Sequence, residues 1–338
     1  MNDRKNSTLD EFCGALKKAN NFLLASHVNP EGDAIGSVIA MESFLKRLGK
    51  RTIIVCEDPF PERLSCLPHQ DRWNILKNVK AKGGQFDALV VADCPTLARI
   101  GKVKELLTPN TVIFNIDHHI SNDLFGCYNY VLPKAAACGE VIYEIIKKFK
   151  MPLTREEAVA LYVSLSTDTG SFKYSNTSVM SHKIAAELIQ TGIDIERINE
   201  DLYATYSLNK ISLYSRLLGK VETAFGGRVA WVSMSRRDLL DSKATYEDTE
   251  GFIDFLKYIK EVKVAFFISE MEKPNEVKVS FRSKEKYDVN QIATVFGGGG
   301  HKKASGCTIN KGPQAAVQAI LKEIEKQFRF DQTENKNG

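Results

Sequence analysis

Thr111-Val112-Ile113-Phe114-Asn115-Ile116, running into Asp117-His118-His119, is the stretch that most constrains how this chain can fold. Its apolar, β-branched first half reads as a short buried strand. Its end delivers one acid and two adjacent imidazoles, after which Ile120-Ser121-Asn122-Asp123 turns the chain in mostly polar residues. Open α/β sheets place their ligand sites at strand carboxyl ends. Taken alone, the triplet is equally well a solvated loop with an accidental histidine pair.

The same arrangement recurs along the chain. A helix over 9–19 precedes a strand at 22–26 that delivers His27. A Pro/Gly-rich loop at 28–37 follows, carrying Glu31 and Asp33, and a helix then runs to Leu48 with Gly49 as its stop. Strands at 52–56 and 88–92 flank an irregular Pro-rich segment at 58–71, and the second strand ends in Asp93-Cys94-Pro95. Helices over 138–149 and 154–166 follow, the latter emptying into Thr167-Asp168-Thr169-Gly170. Strand alternating with helix predicts an α/β domain over 1–188 on a doubly wound, mostly parallel sheet.

On that topology His27, Glu31, Asp33, Asp93, Asp117, His118, His119 and Asp168 converge on one edge. Singly, Asp33 also reads as a helix N-cap, and Asp93 and Asp168 as turn formers. Coincidence at every successive element end is the weaker account. Carboxylates gathered so closely repel one another unless cations sit among them. Mixed imidazole and carboxylate donors predict two divalent ions, Mn2+ ahead of Mg2+ or Co2+.

From 181 to about 220 the pattern is helical and charged, which suits a helical linker at 189–217. Beyond it, Gly226-Gly227 separates two strand-like runs as a hairpin. A helix over 247–260 is followed by a second hairpin across Lys273-Pro274-Asn275, and a last helix covers 313–328. These elements predict a smaller α+β domain over 218–330 on a mixed or antiparallel sheet, with a polar, disordered tail at 331–338. The conspicuous segment here is the four-glycine run 297–300 followed by His301-Lys302-Lys303. N–H groups of Gly298, Gly299 and Gly300 can cradle an anion beside the His301 ring, although a flexible tether would have the same composition. Arg282-Ser283 is a second phosphate grip, a guanidinium forking onto phosphate oxygens, or else a solvated hairpin end.

Composition narrows the function classes. Net charge is only +4, from 46 basic and 42 acidic side chains, which argues against a long duplex-binding face. No GxGxxG or GxxxxGK[ST] follows the first strand, disfavouring dinucleotide and P-loop nucleotide binding. Seven cysteines without a CxxC pair read as reduced thiols of a cytoplasmic protein. The N-terminus lacks the apolar core of a signal peptide, and no run approaches membrane-spanning length.

As a set, these residues resemble a known family. His27-Val-Asn-Pro-Glu31-Gly-Asp33, Val-Ala-Asp93, Asp117-His118-His119 and Thr-Asp168-Thr-Gly resemble the four motifs of the DHH phosphoesterase superfamily. Val279-Ser-Phe-Arg282-Ser283-Lys284 and the glycine run through Gly306 resemble the associated DHHA1 domain. Their order and the chain length are similar to the nanoRNase/pAp-phosphatase (NrnA-type) branch. The resemblance implies that His27 and residue 31 bind one metal, that Asp33, His118 and Asp168 bind the other, and that Asp93 bridges them. It further implies that Asp117 supports the site, that His119 faces the scissile phosphate, and that Arg282, Ser283 and His301 hold a 5′-phosphate.

The implied activity is metal-assisted cleavage of a P–O3′ bond. It would release 5′-mononucleotides from very short single-stranded RNA and remove the 3′-phosphate of adenosine 3′,5′-bisphosphate (pAp). Cyclic-dinucleotide or pApA hydrolysis is the alternative enzyme reading, and a catalytically decayed nucleotide-binding module is the alternative of another class. Members of the family often form homodimers. This chain departs from the family in carrying Glu31 where Asp is usual, and Cys138 where a hydroxyl residue is common.

Overall fold

The computed structural model describes residues 5–61, 64–79, 86–204 and 206–334, the last six as backbone only. The chain divides into two compact units, Met1–Thr205 and Tyr206–Gly338.

Among the described residues, six strands form the sheet of the first unit: β1 (Asn21–Ala25), β2 (Arg51–Cys56), β3 (Trp73–Ile75), β4 (Ala88–Ala92), β5 (Val112–Asp117) and β6 (Tyr128–Val131). They lie in the order β3-β2-β1-β4-β5-β6, and every pairing is parallel. β1 and β4, Asn-Phe-Leu-Leu-Ala and Ala-Leu-Val-Val-Ala, are apolar almost throughout because both faces of the sheet are covered. Register pairs Leu23 with Leu89 and Val90 with Phe114. The doubly wound parallel sheet expected from the sequence is therefore present. Its two edge strands, β3 and β6, escape sequence reading for different reasons. β3 is three residues long, and β6 buries a polar Asn129 among its aromatics.

Helices α1 (Leu9–Lys18), α2 (Gly32–Arg47), α3 (Leu76–Val79), α4 (Cys138–Lys148), α5 (Arg155–Asp168), α6 (Val179–Gln190) and α7 (Ile195–Asn199) complete the unit. α1 and α5 start at capping boxes, Thr8 with Glu11 and Thr154 with Glu157. α2 and α5 carry residues of the site, and they approach unusually closely at Gly36. A Cβ added there would lie 2.4 Å from the Ala160 carbonyl oxygen, a backbone atom that cannot swing away. We expect Gly36→Ala to destabilise the protein by about 1–3 kcal/mol through overpacking. A fall in the urea midpoint at unchanged m would show it, and an unchanged midpoint would contradict the close approach.

The second unit opens with α8 (Leu208–Leu218), whose Leu213, Tyr214 and Leu217 join the buried cluster around Phe252. The last third of the segment read as a linker thus packs in this unit, while Ile193 and Ile198 from its earlier part pack in the core of the first. Strands β7 (Glu222–Ala224), β8 (Val229–Met234), β9 (Val264–Glu270), β10 (Val277–Ser283), β11 (Gly299–His301) and β12 (Ala304–Ile309) form a sheet in the order β11-β12-β10-β9-β8-β7. Only β8 and β9 pair in parallel, so the sheet is mixed. Both expected hairpins form, with Gly226, Gly227 and Asn275 at positive φ in their turns.

Helices α9 (Arg236–Ser242), α10 (Phe252–Tyr258), α11 (Val289–Val295) and α12 (Pro313–Glu334) cover the sheet. The helix expected over 247–260 is broken: a 3-10 turn at Glu247–Thr249 is followed by Gly251 at φ 84°, which starts α10 afresh. α12 continues to Glu334, so half of the expected tail is helical. Asp331-Gln-Thr-Glu contains no breaker, and a wholly polar end shows no periodicity to read. The rest of that tail, 335–338, lies outside the described residues. Among the described residues no helix is long and apolar enough to cross a membrane.

Candidate metal centre

In the strand order β3-β2-β1-β4-β5-β6 the direction of winding reverses between β1 and β4, and a crevice opens there at the strand carboxyl ends. His27 follows β1, Asp93 follows β4, and Asp117 closes β5, with His118 and His119 immediately beyond. Asp33 sits in the first turn of α2, and Asp168 is the last residue of α5.

His118 is the hub of the cluster. Its Nε2 lies 3.5 Å from Asp93 Oδ1, 3.6 Å from Asp33 Oδ2 and 3.7 Å from Asp168 Oδ2. Its Nδ1 lies 3.2 Å from the Ala135 carbonyl, an acceptor that makes Nδ1 the donor and turns Nε2 inward. His27 is oriented in the same way, with Nδ1 2.8 Å from the Val28 carbonyl and Nε2 3.8 Å from Asp93 Oδ2. Among the described residues, two groups can offer ligand atoms within 4.8 Å of one another: Asp93, Asp117, His118 and His119, and Asp33, His118 and Asp168.

Each carboxylate is held differently. Asp33 is gripped by the first turn of α4: Cys138 N–H donates to Oδ2 at 2.8 Å and Gly139 N–H to Oδ1 at 3.3 Å, with the Ser37 and Ser164 hydroxyls also on Oδ1. Asp117 is fully buried and engaged at both oxygens. Oδ1 accepts from His118 N–H at 2.8 Å and His119 Nδ1 at 2.7 Å, and Oδ2 accepts from Asn122 Nδ2 at 2.6 Å. Asp93 has a left-handed backbone, φ 55°, pinned by its N–H to the Ile116 carbonyl at 2.9 Å. Strain of this kind persists where the surroundings enforce it, commonly at working sites. Asp93 Oδ1 is buried with no hydrogen-bond partner, an acceptor prepared for something other than a protein donor.

The electrostatics agree. Burial pushes the Asp33 carboxyl up to about 8, reinforced by the charge of Asp93. Burial likewise lifts Asp168 to about 6 against the pull of His118, with Asp93 and Glu31 adding to the rise. Burial opposes a charge on His118, yet Asp93, Asp33 and Asp168 together hold its imidazolium up to about 10. Burial alone would also raise Asp93, but the close approach of the His118 and His27 imidazoles, with the charge of His119, keeps it below the usual carboxylate range. Carboxylates crowded in this way call for neutralisation, by protons or by cations. The donor set, all oxygen and imidazole nitrogen around an orphaned carboxylate oxygen, fits divalent ions. The Cys138 thiol is raised far above its usual value by burial and then by Asp33, and its Sγ donates to the Ile116 carbonyl at 3.4 Å, outside both groups of ligand atoms.

Glu31 stands apart from its neighbours. It occupies the N-cap of α2 without a side-chain cap bond, is exposed, and offers no ligand atom to either group. Sequence reasoning also missed the residues that hold the ligands. Asn122, which bonds Asp117, and Ser164, which bonds Asp33, are ordinary polar residues in sequence, and only the topology brings them to the site.

In the second unit the expected phosphate grips are partly committed elsewhere. Gly298 N–H donates to the Ala293 carbonyl at 2.9 Å, closing α11, so it is not a free donor for an anion. Gly299, Gly300 and His301 form the exposed edge strand β11, paired in register with β12, instead of an open cradle. The physical reason is the two-residue turn at Lys302-Lys303, which folds the glycine run back on 304–306. Ser283 is buried. Its hydroxyl donates to the Tyr287 carbonyl at 2.8 Å and its N–H to Lys303 at 3.1 Å, leaving no donor for a phosphate. The Arg282 guanidinium is part-exposed, with Nε 3.5 Å from Asp254 Oδ1.

A model of the DHH family N-terminal domain matches residues 21–165, and a model of the DHHA1 domain matches residues 220–329. A bifunctional oligoribonuclease and PAP phosphatase NrnA from Thermus thermophilus is 29% identical over 90% of this chain and 90% of its own. The Bacillus subtilis protein of the same description is 27% identical over 93% of this chain and 97% of its own. In structure, an exopolyphosphatase-related protein from Bacteroides fragilis matches with a TM-score of 0.88 at 26% identity, over 94% of this chain and 95% of that one. The chain belongs to the DHH family, with its N-terminal DHH domain followed by a DHHA1 domain.

Proposed function

We propose that this protein is a metal-dependent phosphoester hydrolase. It releases 5′-mononucleotides from very short RNA and removes the 3′-phosphate of pAp. The observation that carries this reading is the convergence of Asp33, Asp93 and Asp168 on His118 Nε2, at 3.5–3.7 Å. The relatives described as oligoribonuclease and PAP phosphatase supply the substrate class.

His27, Asp33, Asp93, His118 and Asp168 would hold two divalent ions, Mn2+ ahead of Mg2+ or Co2+, with residue 31 at the rim. Bound there, such ions supply charge neutralisation at phosphate and a water acidic enough to lose its proton near neutral pH. The protein's own groups do the rest. Burial opposes a charge on His119, but its bond to Asp117 raises its pKa and fixes Nδ1. A protonated His119 then presents Nε2–H to a phosphate oxygen as negative charge grows there. Arg282 and the exposed β11 strand with His301 would anchor the non-reacting 5′-phosphate. We place the enzyme in the cytoplasm, acting on short single strands and small nucleotides and not on membranes or long duplexes.

A substrate panel with Mn2+ tests this. We expect turnover of pAp, pApA and two- to five-nucleotide RNA, with cyclic di-AMP slower. Turnover of the cyclic dinucleotide alone would favour the alternative enzyme reading, and binding without any turnover would favour a decayed module. Arg282→Ala should raise KM while changing kcat by less than about threefold, since anchoring a non-reacting phosphate is largely uniform binding. Loss of kcat at unchanged KM would place Arg282 in the chemistry instead.

A further inference from the structure

The loop between Asp168 and α6 has an unusual backbone. Gly170, Ser171 and Phe172 follow one another at φ 57°, 58° and 63°, three successive left-handed residues of which two carry side chains. Such a turn persists only if its surroundings enforce it. Here Ser171 N–H donates to the Ser166 carbonyl at 2.7 Å and Phe172 N–H to Thr169 Oγ1 at 3.1 Å. The Phe172 ring stacks on His182 with centroids 5.2 Å apart. The Tyr174 ring lies so close over Gly170 that an added Cβ would fall 2.4 Å from it. The turn delivers Asn176 back to the metal centre. Its Nδ2 lies 3.0 Å from the Asp168 carbonyl oxygen and 3.0 Å from the Ala136 carbonyl oxygen, so both amide hydrogens are used.

Those two carbonyls belong to different parts of the centre. Asp168 carries one expected ligand. Ala136 lies beside Ala135, whose carbonyl orients His118, and two residues before Cys138, whose N–H grips Asp33. We propose that Asn176 is a positioning residue of the metal centre, its amide clamping the Asp168 loop to the segment that aims His118 and Asp33. It supplies no ligand atom itself. The inference rests on reading the crevice as a metal centre, and it assigns Asn176 a function that its place in an exposed polar turn does not suggest.

Calorimetric titration of Mn2+ into metal-free protein tests it, with Asn176→Ala and Asn176→Asp beside the wild type. Both substitutions remove the two donors. We expect Mn2+ affinity to fall about 10–100-fold in each, the usual cost of losing a partner that orients a ligand. Melting of the metal-free protein should stay close to wild type. With pAp, kcat at limiting Mn2+ should fall and recover as Mn2+ is raised, at unchanged KM. A lower melting temperature with wild-type Mn2+ affinity would mean a merely structural role and overturn the proposal. If neither variant folds, Asn176→Ser, which keeps one donor, should bind Mn2+ with intermediate affinity, and wild-type affinity in that variant would equally overturn it. Failure of the wild type to hydrolyse any substrate would sink the proposed function, yet it would leave these affinity ratios to judge Asn176 on their own.

Discussion

Asp93→Ala should lower kcat on pAp by on the order of 10³-fold or more, beyond the loss seen when one transition-state donor is removed. Asp93 is buried, and its Oδ1 lies 3.5 Å from His118 Nε2 and 3.6 Å from His119 Nδ1 with no hydrogen-bond partner of its own. His27 approaches its other oxygen. In the proposed arrangement this one carboxylate serves both cations, so its removal is felt at both. Asp93→Asn keeps the shape and should fail almost as badly, because an amide presents one neutral oxygen where two charged ones are needed. A kcat within tenfold of wild type for both variants, in protein whose circular dichroism is unchanged, would remove Asp93 from the centre.

The second large effect is on metal uptake. Metal ligands must be deprotonated, so bound protons compete with the ion. Before an ion binds, protons are favoured on His118, raised to about 10, and on Asp33, raised to about 8. Both are raised above their ordinary values, so both stay protonated through neutral pH and each must be expelled when an ion binds. The sign follows: affinity for Mn2+ rises with pH. While pH lies below both values, each displaced proton contributes about tenfold per pH unit, so two contribute about 100-fold between pH 6 and 7. Titrations in buffers of different ionisation enthalpy would count the protons released. A release near zero, or an affinity flat over that range, would contradict the proton-filled crevice.

Most of the first unit is legible in sequence because β1, β4 and β5 are apolar runs ending in functional residues. Periodicity and strand-end chemistry point there to the same place. What escapes detection is held by tertiary context. β6 hides because Asn129 is buried with its amide hydrogens on the Lys5 and Gly126 carbonyls, so a strand position carries a polar letter. Asp33 reads as a helix start, yet its partners Ser164 and Cys138 lie 131 and 105 residues away, and no local pattern predicts such pairings. Glu31 is the opposite case. Its position within the motif resembles a ligand's, but in the structure it stands exposed and outside both clusters.

The glycine run shows the limit of composition most plainly. Four glycines allow many backbones, and only their pairing with 304–306 selects a strand over a cradle. Ser283 is similar, since its hydroxyl is spent on carbonyls that become neighbours only once the sheet has formed.

The central claim is that distant acids and imidazoles gather to hold a pair of ions. Anomalous diffraction from crystals grown with Mn2+ measures this directly. The account predicts two peaks roughly 3.5–4 Å apart, lying among Asp33, Asp93, His118 and Asp168. A map with no peak in that crevice, at Mn2+ concentrations that support turnover, would contradict it.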